Sequence, residues 1–153
     1  MTSGTDFIEK FCMVAEQDGF PRIAGRIMGF LLLNEGPFTL DELAEALQIS
    51  KTSASTNTRL LEQHGIIARV VKPGDRRDFY QLADDHWDKL FDVAKKRMER
   101  FHEVLQRTIE SLPAAQEYGR KRLLEAEHFN AFILAQLDKH IEEWRRMRAD
   151  EAK

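Results

Sequence analysis

Seven of the nine residues from Ser50 to Thr58 are Ser, Thr or Asn. Their side chains carry short donors and acceptors that suit phosphate oxygens and base edges. Lys51 and Arg59 flank the stretch with positive charge. The chemistry on offer is recognition of nucleic acid. A second constellation is the pair Glu99-x-x-His102 and Glu125-x-x-His128. This spacing places a carboxylate and an imidazole on one helical face. Two such pairs build di-iron sites when two further helices each add a Glu. The first half of this chain does not read as two more bundle helices, and Glu99 and His102 flank an apolar stripe instead of centring it. A metal-binding helical-bundle enzyme is therefore the least favoured alternative. No nucleophile–base–orienter set and no glycine-rich phosphate loop is present, so neither catalysis nor a cofactor is expected.

The second basic group lies in Lys72-Pro73-Gly74-Asp75-Arg76-Arg77. Pro and Gly fix the shape of a turn, and Lys72, Arg76 and Arg77 load it with charge. An arginine on such a turn can enter a narrow minor groove, where the negative potential is enhanced. Asp75 can hold one arginine through a charge-assisted hydrogen bond.

The elements that must position these residues follow from hydrophobic spacing. Phe7, Ile8, Phe11, Cys12 and Ala15 predict a short amphipathic helix. A second helix runs from about Pro21 to Leu33, with Gly25 and Gly29 four residues apart. Glycines weaken a helix, so they suggest close approach by another backbone. Thr39 and Glu42 have capping-box spacing at the head of a helix to Leu47. Ser50 caps the hydroxyl-rich helix, which ends at Gly65. Ala54, Thr58 and Leu61 then face the core, leaving Lys51, Thr52, Ser53, Ser55, Thr56, Asn57 and Arg59 for DNA. Asn57 has the groups for a bidentate pair with adenine, and Arg59 for guanine or a phosphate. Ile66 to Val71 reads as a strand and Asp78 to Leu82 as its return, with Phe79 and Gln81 on one face and Tyr80 and Leu82 on the other. Helix, turn, helix and a basic-tipped hairpin make a winged helix-turn-helix pattern.

Two long helices follow. One carries Trp87, Leu90, Phe91, Ala94, Met98, Phe101, Leu105, Ile109 and Leu112 before Pro113; the other carries Leu123, Leu124, Phe132, Ile133, Leu134, Leu137, Ile141 and Trp144. Both stripes are longer than one winged module can cover, which points to a second copy of the chain. The expected fold is mainly α with a small β-hairpin wing: a winged helix-turn-helix plus long dimerisation helices. The expected organisation is N-terminal supporting helices in 1–36, the DNA-binding module in 37–84 and dimerisation helices in 85–153.

Charge distribution agrees. The 153 residues carry a net −3, yet Gln48 to Leu82 holds six basic and three acidic residues. That segment is +3 and the remainder −6, as expected of selective rather than indiscriminate nucleic-acid binding. A single cysteine forms no internal disulfide. The N-terminus lacks the pattern of a signal peptide, and no apolar run approaches the roughly 18 residues of a membrane span. A cytoplasmic, non-membrane protein is the expectation.

Gly19 to Leu32 (GFPRIAGRIMGFLL) and Lys72 to Tyr80 (KPGDRRDFY) resemble the MarR superfamily of bacterial transcriptional regulators, and within it the GbsR-type branch. The resemblance is specific over about Phe7 to Ala94 and one of layout beyond. It implies a homodimer whose two winged modules read a pseudo-palindromic operator in double-stranded DNA, most often as a repressor relieved by a small-molecule inducer. On the GbsR-type likeness that inducer would be a quaternary amine held by cation–π contacts. Phe7, Phe11, Phe30, Trp87, Phe91 and Phe101 are available for a pocket, although a plain aromatic core is the favoured account of each of them. Two departures stand out. Gln48 occupies a turn position where many helix-turn-helix proteins carry Gly, and Leu82 falls five residues after Arg77 where the family's usual spacing is six, which implies a shorter returning strand.

Three further points have two readings. Cys12 falls on an apolar face with only Lys10 near, which fits a structural thiol better than a redox sensor. Arg22 and Arg26, one turn apart, are placed either to clamp phosphate or to pair with acids of a dimer partner. A winged helix can also serve protein contact in place of DNA, an alternative that weak salt dependence would favour.

Overall fold

The computed structural model describes residues 3–151. Its elements run α1 (Ser3–Gln17), α2 (Arg22–Leu33), β1 (Phe38–Thr39), α3 (Leu40–Leu47), α4 (Lys51–Gln63), β2 (Ile67–Val71), β3 (Asp78–Leu82), α5 (His86–Ser111) and α6 (Glu117–Glu151). The chain divides into two compact units, one through Leu90 and one from Phe91 onward, so the boundary falls inside α5.

In the first unit α1 and α2 pack side by side, joined by a turn in which Gly19 has φ 92°. The two helical glycines have the predicted function, and α1 is the approaching backbone. A Cβ on Gly25 would meet the Cys12 Cα at 2.8 Å, and one on Gly29 the Ile8 Cα at 3.3 Å. Cys12, Ala24, Ile27, Leu43, Ala54, Leu61 and Ile66 are wholly buried and form the core between α1, α2, α3, α4 and the sheet. Helix α3 starts on the expected capping box. Glu42 N donates to Thr39 Oγ1 at 3.3 Å, and Thr39 N donates back to the Glu42 carboxylate at 2.7 Å. The Thr39 N–H and then the Thr39 hydroxyl, which donates to the same carboxylate at 2.9 Å, lower the Glu42 pKa and keep it ionised at the positive end of the helix.

The sheet has three strands, not the two of a simple hairpin, in the order β1-β3-β2 and antiparallel throughout. Strand β1 is only Phe38 and Thr39, paired with Tyr80 and Phe79; two residues carry no alternation from which to read it. Because β3 lies in the middle, Phe79 and Tyr80 are both buried although they point to opposite faces. Strands β2 and β3 pair over their full five residues, from Ile67 opposite Leu82 to Val71 opposite Asp78. The early Leu82 therefore costs the wing no pairing with β2.

In the second unit, α5 from Phe91 and α6 run antiparallel, as the ion pairs Asp92–Arg145 (4.0 Å), Lys95–Asp138 (2.5 Å) and His102–Glu127 (3.4 Å) require. Only Asn130 and Ile141 of α6 are buried. Phe101, Val104, Leu124, Phe129, Phe132 and Trp144 are exposed. Among the described residues, no helix is long and apolar enough to cross a membrane.

Candidate nucleic-acid interface

Helix α4 is seated by three inward residues at helical spacing, Ala54, Thr58 and Leu61, each 0–1% exposed. It packs on α2 and α3 through that face. Its first turn is fixed by Ser50, whose Oγ accepts from Ser53 N at 3.1 Å and donates to Ser53 Oγ at 2.9 Å. The preceding turn passes through Gln48 in the left-handed region (φ 52°), the position where Gly is usual. The helix stops at Gly65 (φ 71°), where Ile66 N returns to Leu61 O.

The outward face of α4 offers Lys51, Thr52, Thr56 and Arg59, all exposed, with Ser53 and Ser55 half-buried. Lys51 is tethered, its Nζ 2.8 Å from the Asp41 carboxylate. Arg59 has no acidic partner among the described residues. Asn57 is placed differently from the expectation. It is 9% exposed and donates its amide to Ser53 O at 2.9 Å, one turn back on its own helix. That bond occupies one of its two amide hydrogens, and the bidentate geometry for adenine is not presented to solvent.

The wing tip is a turn in which Asp75 N donates to Lys72 O at 3.1 Å, with Pro73 second and Gly74 third at φ 82°. This is the geometry of a type II turn, and it explains both residue choices. Asp75 grips Arg77: its carboxylate accepts from the Arg77 side chain at 2.6 Å and from the Arg77 backbone N–H at 2.9 Å. The guanidinium bond and then the backbone bond hold the Asp75 pKa down to about 2. Lys72 Nζ stands 4.2 Å from the Phe79 ring centre and the Arg77 guanidinium 5.4 Å. Arg76 is exposed, and among the described residues it has no acidic partner. Of the two wing arginines, one shapes the turn and the other projects from it.

Several residues outside these groups carry more than their types announced. Arg69, which contributes to the local positive charge, is committed within the chain. Its guanidinium donates to both oxygens of Glu62 at 3.1 and 3.0 Å and to Asp78 at 3.3 Å. Nothing in the sequence spacing announces this contact, because it depends on how β2 lies against α4. Arg22 and Arg26 follow neither expectation. They bind Glu9 at 2.9 Å each, and Arg22 also reaches Glu16 at 3.3 Å, so they tie α2 to α1. Cys12 is fully buried, its Sγ 3.0 Å from Glu9 O, and burial pushes its pKa up, as befits a structural thiol. The Glu-x-x-His residues disperse into ordinary pairs: Glu99 with Lys95, His102 with Glu127 and Glu125 with Arg122. No group of three or more potential ligands gathers among the described residues. Of the aromatics, Phe7 stacks on Phe11 at 5.6 Å between ring centres, and Phe30 meets Phe38, not one of its expected partners, edge-on at 5.0 Å.

With this geometry in place, the family models are decisive. Residues 18–78 match the model of the MarR family. Residues 85–148 match that of MmpR5-like MarR family transcriptional regulators. The chain belongs to the MarR family. Among curated relatives, the Bacillus subtilis protein YvaV is 32% identical over 117 residues, 69% of this chain and 64% of its own length. The HTH-type transcriptional repressor OpcR of the same organism is 35% identical over 80 residues, 52% of this chain and 43% of its own. The matched stretch thus spans less than two thirds of either relative. A crystal structure of a transcriptional regulator superposes with a TM-score of 0.78 at 26% identity, covering 94% of this chain and 98% of that one. In the winged helix-turn-helix of this family, α3 and α4 are the helix pair and β2–β3 the wing.

Proposed function

We propose that this MarR protein is a sequence-selective DNA-binding regulator of transcription, acting as a homodimer on a pseudo-palindromic operator. The observation that carries the reading is the outward face of α4. A rigidly capped helix presents Thr52, Thr56 and Arg59 to solvent, with Lys51, Ser53 and Ser55 beside them. Helices of this kind lie in the major groove, hydroxyls and arginine toward base edges and phosphates. Arg76, Arg77 and Lys72 at the wing are placed for the adjacent minor groove and backbone. Arg76 supplies the projecting charge and Arg77 the turn shape. Asn57 supports the helix from within.

The exposed apolar residues of α5 and α6 support a homodimer built from residues 85–153, and helices α1 and α2 serve as its support. Half-sites about one turn of DNA apart follow from two recognition helices related by a two-fold axis. Repression, relieved by a small-molecule effector that changes the separation of the two helices, is the mode we assign, in keeping with the similarity to a repressor. The GbsR-type branch fits the glycine-spaced α2 and the wing sequence KPGDRRDFY. We assign the protein to the cytoplasm and its action to binding, not catalysis.

The test is fluorescence-anisotropy binding to the DNA upstream of its own gene, beside a scrambled duplex, at two salt concentrations. Tight binding that prefers the natural sequence and weakens steeply with salt is the expected result. Weak binding to every duplex would overturn the reading.

A further inference from the structure

We infer that Arg69 is a positioning residue that locks the wing to the recognition helix, so that the two reading elements meet DNA at a fixed angle. The inference rests on the DNA-binding reading above and goes beyond it. Arg69 lies on β2, yet all its polar contacts are with neighbouring elements. Nε and Nη2 donate to the two oxygens of Glu62, in the last turn of α4, at 3.1 and 3.0 Å. Nη1 donates to Asp78, the first residue of β3, at 3.3 Å. The guanidinium plane lies over the Tyr80 ring at 5.7 Å, on the strand that pairs directly with β2. One planar cation thereby joins α4, β2 and β3.

Two further features single out this contact. The Glu62 pair is a fork-to-fork bond, which fixes direction as well as distance, and a lysine cannot reproduce it. The same contact commits Arg69 inward. Both oxygens of Glu62 and one of Asp78 already surround its guanidinium, so a phosphate would have to displace two carboxylates to reach it. Arg69 adds to the positive charge of the segment without being one of its DNA contacts. Arg59 and Arg76, without an acidic partner among the described residues, lie on the two bodies that Arg69 joins. Fixing one to the other fixes the distance between a major-groove and a minor-groove contact. Orientation of that kind acts on the specific site, where both contacts must register, and much less on random DNA, where either suffices.

The experiment compares wild type with Glu62→Gln, Arg69→Met and Arg69→Lys, using a duplex enriched from a random pool by the wild-type protein and an unselected duplex. Failure of the wild type to enrich any sequence would count against DNA reading itself, separately from the clamp. Glu62→Gln is the variant that gives opposite signs. If Arg69 contacted phosphate, removing its internal partner and a negative charge would tighten binding. For a clamp, Glu62→Gln weakens the selected duplex about three- to tenfold and leaves the unselected one unchanged. Arg69→Met has the same effect at an unchanged slope of log affinity against log salt, and Arg69→Lys recovers only part of it. A second readout needs no DNA: amide exchange in β2 and β3 speeds up several-fold in Glu62→Gln and Arg69→Met. Tighter binding by Glu62→Gln, a salt slope lowered by about one unit in Arg69→Met, or unchanged strand exchange would each overturn the proposal.

Discussion

The backbone of Cys12 lies so close to Gly25 that a methyl group added to the glycine would stand 2.8 Å from the Cys12 Cα. The methyl would also meet the Cys12 and Ala15 Cβ atoms at 3.0 Å, so no flexible side-chain end is there to yield. Gly25→Ala gains helix propensity, worth about 1 kcal/mol on an open surface, and must then push α1 and α2 apart. Overpacking of this sort costs about 1–3 kcal/mol. We expect net destabilisation in urea melts, with Gly29→Ala milder because its nearest atom is at 3.3 Å. Equal or higher stability of Gly25→Ala would mean that the helix pair is looser than described.

Gln48 gives the opposite expectation. It holds φ 52° between α3 and α4, with its N–H bonded to Glu45 O at 3.1 Å, and its side chain is exposed. Left-handed backbone costs a residue with a Cβ about 1–2 kcal/mol, and glycine avoids that cost at some loss of chain entropy. Gln48→Gly is expected to raise stability by up to about 1 kcal/mol, measured by denaturant midpoint at constant m value. A lower midpoint would show that glutamine relieves the strain by a contact of its own.

These positions mark where the sequence was informative. Gly25 and Gly29 announced a close approach because two glycines in a helix need a reason, but which backbone approached was decided by α1. Ala54, Thr58 and Leu61 were legible as the inward face of α4 because periodicity of 3.6 residues fixes direction. Asn57 was not: the bond to Ser53 O is local, yet nothing in composition distinguishes an amide turned back on its helix from one turned outward. Arg69 was read by its charge alone, whereas its role follows from Glu62 and Asp78, brought to it by the packing of β2 on α4 and the pairing with β3. Strand β1 was too short for any period to show. The apolar stripes of α5 and α6 were written in their spacing, and Phe101, Leu124, Phe132 and Trp144 stand exposed along them.

The Asp75–Arg77 contact at the wing tip has a distinctive pH dependence. Asp75 is held at a pKa of about 2 in the folded wing, below its ordinary 3.8. A depressed carboxylate stabilises the folded form above its unfolded pKa and loses that contribution as pH falls through the folded one. The Asp75–Arg77 contact is therefore expected to persist at pH 4, where exposed carboxyls are already titrating, and to release only as pH approaches about 2. The Arg77 Nε proton resonance, followed from pH 6 downward, reports this directly. A midpoint near 4 would mean that the bond to Arg77 is not maintained in solution.

Arg76 and Asn57 were grouped as DNA contacts by residue type, and the structure separates them. Arg76 is exposed, and among the described residues it has no acidic partner; Asn57 is 9% exposed and bonded to Ser53 O. Arg76→Ala removes a mobile surface charge, so stability should stay within about 0.5 kcal/mol while the salt dependence of operator binding falls by about one unit of slope. Asn57→Ala removes a buried hydrogen bond worth about 1 kcal/mol, so stability should fall while the slope is retained. The two quantities are measured on the same samples, by urea melts and by anisotropy across a salt series. If Asn57→Ala left stability intact and cost affinity at one base position only, its amide would be reading DNA after turning out from the helix. The bond to Ser53 would then be its resting state.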